Sequence, residues 1–286
     1  MPLGSPTAYR NLYIHVPQSI IALFMAATAT AAAAFYLRKP SAGRFALMDK
    51  SATLTAVFSW LSFATGTVWA AESWGSAWSG DPRQLMVGVM AVLYTAYIIL
   101  KRSVEGPDRL GRVAASYLII AVMSVPVTLV TPVLFPALHP ATGTALGQLP
   151  TAMRMWYLSA LLLLLAISAL YIAGVKAPRA FAVSALLLAA AVGGYLLWEN
   201  AQPLYRVYNA TIAGDLICLY TDGGELVVSR SQITLNPLVV NGTAALTGHL
   251  VTKEGRVVTH WSVGTNLIMT GAALMFISAA WRRDYE

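Results

Sequence analysis

Seven apolar stretches punctuate the chain, at roughly 15–37, 51–71, 84–100, 113–135, 155–175, 180–198 and 263–281. A helix needs about 20 apolar residues to cross the hydrocarbon layer of a bilayer, so each stretch predicts a transmembrane helix. The third is short. The fourth contains Pro126 and Pro132, which bundled spans tolerate because neighbours satisfy the freed carbonyls. Between the sixth and seventh stretches the pattern changes. Apolar and polar positions alternate in Leu204–Tyr208, Asp215–Tyr220 and Glu225–Ser229, and turn residues separate them at Asp222-Gly223-Gly224, Asn236-Pro237 and Asn241-Gly242. A period of two predicts strands. Thr243–Thr252 and Arg256–Trp261 flank Lys253-Glu254-Gly255 as a hairpin.

The expected fold class is therefore an all-α polytopic membrane bundle of about seven transmembrane helices, with a small β-rich extracytoplasmic insertion before the last helix. The expected organisation has four parts. Residues 1–175 form a five-span block with an outer tryptophan-rich loop, and 176–198 add a further transmembrane helix. Residues 199–262 form the small β-rich domain, and 263–286 the last helix with a short cytoplasmic tail.

Composition supports this picture. Of 286 residues, 57% are hydrophobic and 11% are charged, against about 25% charged in ordinary soluble domains. A net charge of +7 raises nucleic acid as a partner, but the distribution of charge excludes it. Twelve of the 19 basic residues fall in short connections, at 38–50, 101–112, 176–179 and 282–283. All lie on one side if the spans alternate. The positive-inside rule makes that side cytoplasmic, with the N-terminus outside and the C-terminus inside a cell (inner or plasma) membrane. The first apolar run lacks a cationic start and is longer than a signal-peptide core, which reads as a retained span. The single cysteine, Cys218, excludes an intrachain disulfide, and no C-x-x-C-H motif is present. Two N-x-T sequons, at Asn209 and Asn241, fall in the outer domain.

Chemistry concentrates in one short loop, Trp74-Gly75-Ser76-Ala77-Trp78-Ser79-Gly80-Asp81-Pro82-Arg83. Two indoles and an arginine beside a membrane suit a flat ligand with an apolar face and an anionic edge. The four histidines are His15, His139, His249 and His260; none is cytoplasmic in this topology. His15 opens the first span and His139 follows the fourth, both at the outer surface. Two imidazoles at one membrane face suit axial ligation of haem iron, each in its neutral form. Trp69, Trp74 and Trp78 are candidates to stack on the porphyrin, and Arg83, Arg10 and Arg154 to meet its propionates. Asp81 either pairs with Arg83 or orients a loop amide or a ligand imidazole. Simpler readings stand beside these. Tryptophan and tyrosine populate any interfacial belt, an interfacial histidine is commonly a hydrogen-bonded surface group, and Arg83 suits a snorkelling anchor.

Taken together the motifs resemble a known family. Trp74, Gly75, Trp78, Asp81 and Arg83 match the pattern W-G-x-x-W-x-W-D-x-R, and Tyr13, His15, Val16 and Pro17 match Y-x-H-V-P. Leu138-His139 matches a later L-H segment, and Phe58, Ala64, Thr65, Gly66 and Trp69 follow the approach to the loop. Residues 10–175 thus resemble CcmC, the haem-handling membrane proteins of system I cytochrome c maturation, within the wider "WWD" family. The resemblance implies axial ligation by His15 and His139 of a transiently bound haem b. It implies that haem rests against the Trp74–Arg83 loop, with Trp69 and Asp81 part of the site, at the outer face. It also implies hand-off to a haem chaperone of the pathway, with a covalent link to a haem vinyl group. Apocytochrome c, other maturation membrane subunits and membrane lipid are further partners on this reading.

The chain also departs from that pattern. Gly80 stands where the third tryptophan belongs, and Thr131–Pro136 replaces tryptophans before the second histidine. The span that precedes His15 in the family is missing, and extra spans with an outer domain replace a short tail. Gly242–Gly248 followed by Val257–His260 faintly echoes the haem chaperone's own attachment motif, but His260 reads more simply as an interfacial residue beside Trp261. Cys218 reads as a buried strand residue. Two alternatives stay open: a haem lyase that joins haem directly to apocytochrome c, and a structural membrane subunit that has lost haem. A transporter fits less well, because the spans hold almost no ionisable residues at mid-depth.

Overall fold

The computed structural model describes residues 8–74, 76–135, 137–139, 151–175, 187, 189–194, 204–232, 239–240, 243–244, 250–252, 257–258 and 261–283. Its helices are α1 (His15–Arg38), α2 (Ala42–Trp74), α3 (Pro82–Ser103), α4 (Pro107–Ala121), α5 (Ser124–Leu134), α6 (Thr151–Ala173) and α7 (Trp261–Arg283). Its strands are β1 (Leu204–Ala213), β2 (Leu216–Thr221), β3 (Gly224–Ser229), β4 (Val239–Val240), β5 (Thr243–Ala244), β6 (Leu250–Thr252) and β7 (Val257–Val258). Among the described residues, five stretches are long and apolar enough to cross a membrane: Asn11–Arg38, Ala42–Ala71, Pro82–Ser103, Pro107–Leu134 and Arg154–Ala173. A shorter apolar stretch, Val263–Met275, lies in α7. The expected span at 180–198 lies mostly outside the described residues; 187 and 189–194 are helical.

The chain divides into two compact units. The larger comprises Leu12–Gly66, Gly80–Leu186 and Met269–Glu286. Within it α1 offers an alanine face, Ala22, Ala26, Ala29 and Ala33, all fully buried. Small residues at this spacing let backbones approach closely where lipid provides no hydrophobic drive. The face packs on α4, whose Ala114, Ala115 and Leu118 are buried too. Gly111 of α4 sits against the Tyr36 ring and hydroxyl, where a Cβ would clash unless the tyrosine shifted.

Two expected boundaries shift. The fourth span is two helices rather than one. The chain turns at Val122–Met123, where Met123 donates its N–H to the Ile120 carbonyl at 3.1 Å. Pro126 then falls in the first turn of α5, where a missing N–H costs nothing. The second span begins earlier and ends later than its apolar run, so that Trp74 closes α2 instead of opening the loop.

At one end of the larger unit Asp49 and Lys101 form an ion pair at 2.8 Å. The Tyr97 hydroxyl donates to the same carboxylate at 3.0 Å. Arg44 donates to the Lys39 carbonyl beyond the end of α1 and to the Phe35 carbonyl, which also accepts from the Lys39 N–H. Basic residues thus serve as helix caps and inter-helix ties where the sequence clusters them.

The smaller unit comprises Met1–Asn11, Thr67–Ser79 and Leu187–Ile268. Its sheet runs in the order β3-β2-β1-β6-β7, with β4 and β5 as a separate pair. The three expected strands are present, and of the expected hairpin β6 and β7 pair, Leu250 facing Val258 and Val251 facing Val257, while Thr243–Ala244 pairs with β4 instead and Trp261 opens α7. Val207, Ile217, Leu219, Val228 and Val251 form its core. Cys218 points the other way from Ile217 and Leu219 and is half-buried, not buried as its strand position suggested. Period-two alternation sends it to the opposite face. Arg206 donates from Nη2 to the Ala71 carbonyl at 2.9 Å. That carbonyl is among the last four of α2, where a cation is favourable.

Candidate functional site

The site is built at the end of the larger unit away from the Asp49–Lys101 pair. Asp81 organises it. Its backbone sits at φ −59°, ψ 127° ahead of α3, and its Oδ1 accepts from the N–H groups of Arg83 at 2.9 Å and Gln84 at 3.2 Å. This is an N-cap, with Pro82 preset for the first helical position. The same carboxylate reaches the segment after α5. Its Oδ2 accepts from the N–H of Leu138 at 2.6 Å and of His139 at 3.2 Å. The Nδ1 of His139 lies 2.7 Å from Asp81 Oδ1.

Asp81 is 3% exposed. Burial by itself would raise its carboxyl, but the hydrogen bond and charge of the His139 ring, with the His139 and Gln84 amides, outweigh that. They hold the carboxyl well below the usual carboxylate range. An ionised carboxylate only accepts, so the His139 Nδ1 is the donor. In the neutral ring the lone pair then belongs to Nε2. Fixing a ligand imidazole through its other nitrogen is how carboxylates commonly orient metal-binding histidines.

His15 is arranged in a parallel way by a different residue. Its Nδ1 lies 3.0 Å from the Thr65 hydroxyl oxygen. That hydroxyl has one proton and three oxygens competing for it: the Leu61 carbonyl at 2.8 Å, the Gln18 Oε1 at 3.3 Å and the Ser62 carbonyl at 3.3 Å. A Thr65 oxygen whose proton is engaged must accept from His15. Again Nε2 carries the lone pair. Gly66 lies under the ring: a Cβ there would come 2.7 Å from His15 Cε1. The site needs glycine at this position for lack of room, not for backbone freedom.

The two imidazoles lie within electrostatic range of one another, and Arg83 is in range of His15 and of Asp81. Arg83 is half-buried at the first turn of α3. Asp81 thus accepts from loop amides and from the imidazole of His139. Among the described residues no group of three or more His, Cys, Asp or Glu forms a metal site. Haem requires only two side chains, because the porphyrin supplies the equatorial nitrogens, so this donor set fits it.

The tryptophans belong to the smaller unit. Trp69 is half-buried with its Nε1 out of contact with solvent, and Trp78 is 51% exposed. Trp74 is the last residue of α2. Ser76 donates to the Trp78 carbonyl at 2.7 Å, which tightens the loop. Gly80 has φ +71°, a conformation that a tryptophan rarely adopts. The departure from the three-tryptophan pattern therefore coincides with a backbone that suits glycine. Arg154 is exposed at the start of α6. The Arg10 side chain, His249 and His260 lie outside the described residues.

Sequence reasoning gave no role to Gln18, Asn11, Asn266 or Thr270. An uncharged amide inside an apolar span is itself a signal, since it must find a partner there.

A family model described as CcmC, Heme exporter protein C, matches residues 4–188. The chain is 29% identical over 118 residues to Heme exporter protein C of Bradyrhizobium diazoefficiens, covering 41% of this chain and 44% of that protein. It is 27% identical over 147 residues to Heme exporter protein C of Escherichia coli K12, covering 51% of this chain and 60% of that protein. Over 97 residues it is 25% identical to the protein of the same name from Paracoccus denitrificans, 34% of this chain and 40% of that one. The chain thus spans about half the length of the relatives it matches.

Proposed function

The chain belongs to the Heme exporter protein C family, and from that premise we propose that it binds haem at the outer membrane face and delivers it for cytochrome c maturation. His15 and His139 would hold the haem iron on this reading, each through Nε2. The observation that carries it is the shared preparation of two imidazoles from distant parts of the chain. Each gives its Nδ1 proton to a hydrogen-bond acceptor.

The residues have distinct tasks. Asp81 keeps His139 in one tautomer and ties its backbone to the start of α3. Thr65 and Gly66 hold and seat His15. Arg83 supplies the cation for a propionate, and the family pattern assigns the flat apolar surface to Trp69, Trp74 and Trp78. When bound, the haem supplies the iron and the vinyl groups on which later attachment depends. The protein's part is to orient it and expose one edge. The partners on this reading are a haem chaperone of the maturation pathway, apocytochrome c downstream, and other maturation membrane subunits. On this reading the N-terminus is extracytoplasmic and the C-terminus cytoplasmic, which the clustering of basic residues in the short connections supports.

The test is optical. Purified protein is expected to show a six-coordinate low-spin haem spectrum, with haem content read by the pyridine haemochrome method. A His15→Ala, His139→Ala double variant that keeps that spectrum at full stoichiometry would overturn the ligand assignment.

A further inference from the structure

A second buried network brackets His15 from a helix that lies beyond the family-matched residues 4–188. Asn266 of α7 donates from Nδ2 to Asn11 Oδ1 at 2.7 Å, and both residues are fully buried. One helical turn further along α7, Thr270 accepts from Gln18 Nε2 at 2.7 Å. Asn11 precedes His15 by about one turn and Gln18 follows it by about one turn. The last helix therefore ties the first on both sides of the candidate ligand.

The inner tie reaches the imidazole itself. Gln18 has one donor end and one acceptor end. With Nε2 directed at Thr270, its Oε1 faces the Thr65 hydroxyl. That hydroxyl is the group that receives the His15 Nδ1. The order Thr270, Gln18, Thr65, His15 is thus a continuous hydrogen-bonded relay. Its polarity is set jointly: the Leu61 carbonyl draws the Thr65 proton at 2.8 Å and the Gln18 Oε1 at 3.3 Å, whereas a carboxamide rotated by half a turn would present N–H to Thr65 and compete with His15 for its lone pairs. Inside a bilayer there is no bulk water to replace a lost partner, so the relay has strong reason to remain intact.

We propose that Thr270 is a positioning residue for His15, acting through Gln18 and Thr65 to hold the imidazole in its Nδ1–H form. Helix α7 then has a role in the site and is more than an added span. The proposal rests on the reading of His15 as a ligand for its functional meaning, but its test does not.

The experiment uses the full-length, haem-free protein with ¹⁵N-labelled histidine, in detergent or nanodiscs. The His15 signals are assigned from their loss in His15→Gln. In the unaltered protein His15 is expected as a single Nδ1–H tautomer. Thr270→Val removes the acceptor at constant volume and is expected to shift the tautomer ratio toward Nε2–H by roughly fivefold, the worth of one modest hydrogen bond. Thr270→Ser restores the hydroxyl and is expected to restore the signal. Ala272→Leu, on the exposed side of the same helix, is expected to change nothing. If Thr270→Val does not accumulate, Thr270→Cys keeps the volume with a weaker acceptor and is read in the same way. A folded Thr270→Val or Thr270→Cys protein whose His15 signals match the unaltered chain overturns the proposal. Because no haem is present, failure of the ligand assignment leaves this result unaffected.

Discussion

Asp81 and His139 meet at 2.7 Å through a carboxylate that also caps α3. One side chain thereby performs a local task, ending the loop before a helix, and a long-range one, fixing a ring that follows another helix. The two tasks are separable by substitution, because asparagine caps helices about as well as aspartate but cannot act as an ionised acceptor.

Asp81→Asn is therefore expected to keep the fold and weaken haem retention roughly 10–100-fold, the usual cost of losing a group that orients a ligand histidine. Asp81→Ala is expected to lose the cap as well, at a further cost of about 1 kcal/mol. Haemochrome titration reads the first effect and thermal unfolding of haem-free protein the second.

Acid sensitivity follows from the same carboxyl. Its value in the folded protein lies below that of the unfolded chain, near 4 for a free aspartate at about 3.9. Its contribution is thus fully present at neutral pH and begins to fade below about pH 4, as the unfolded chain takes up the proton first. Melting temperatures between pH 7 and pH 3 should fall over the acid end of that range. The fall should be smaller in Asp81→Asn. An equal acid limb in both proteins would count against the assignment.

Gly66→Ala isolates the seat of His15. Alanine favours a helix over glycine by about 1 kcal/mol, so α2 itself should tolerate the change. The new Cβ, however, would stand 2.7 Å from His15 Cε1, and the ring must swing off Thr65. Haem content is expected to fall as far as in His15→Ala, with a melting temperature within a few degrees of the unaltered protein.

At the opposite end of α2, Lys101→Met removes the ammonium that pairs with the Asp49 carboxylate, while the Tyr97 hydroxyl still donates to it. The expected cost is roughly 1–3 kcal/mol of stability, below the ~3–5 of a fully buried pair, because the two side chains keep 28% and 21% exposure. Haem stoichiometry should not change. Loss of haem in a stable Lys101→Met protein would mean that the two ends of the helix are coupled.

The apolar stretches, the alternation at 204–229 and the clustered basic connections were all legible along the chain, and so were His15, His139, Asp81 and Arg83 as candidates. These are local properties. Transfer into lipid and period-two burial are decided residue by residue, so a window of sequence contains them. The break at Val122–Met123 was only half legible: Pro126 and Pro132 marked the region, but where the helix would yield depended on the turn that α4 and α5 make.

What tertiary structure alone decided was partnership. His15 finds Thr65, Asp81 chooses the imidazole of His139, and Asn266 crosses almost the whole chain to reach Asn11. No periodicity encodes such choices. A buried donor or acceptor takes whichever complement packing brings within about 3 Å, and in this protein that complement comes from a helix distant in sequence.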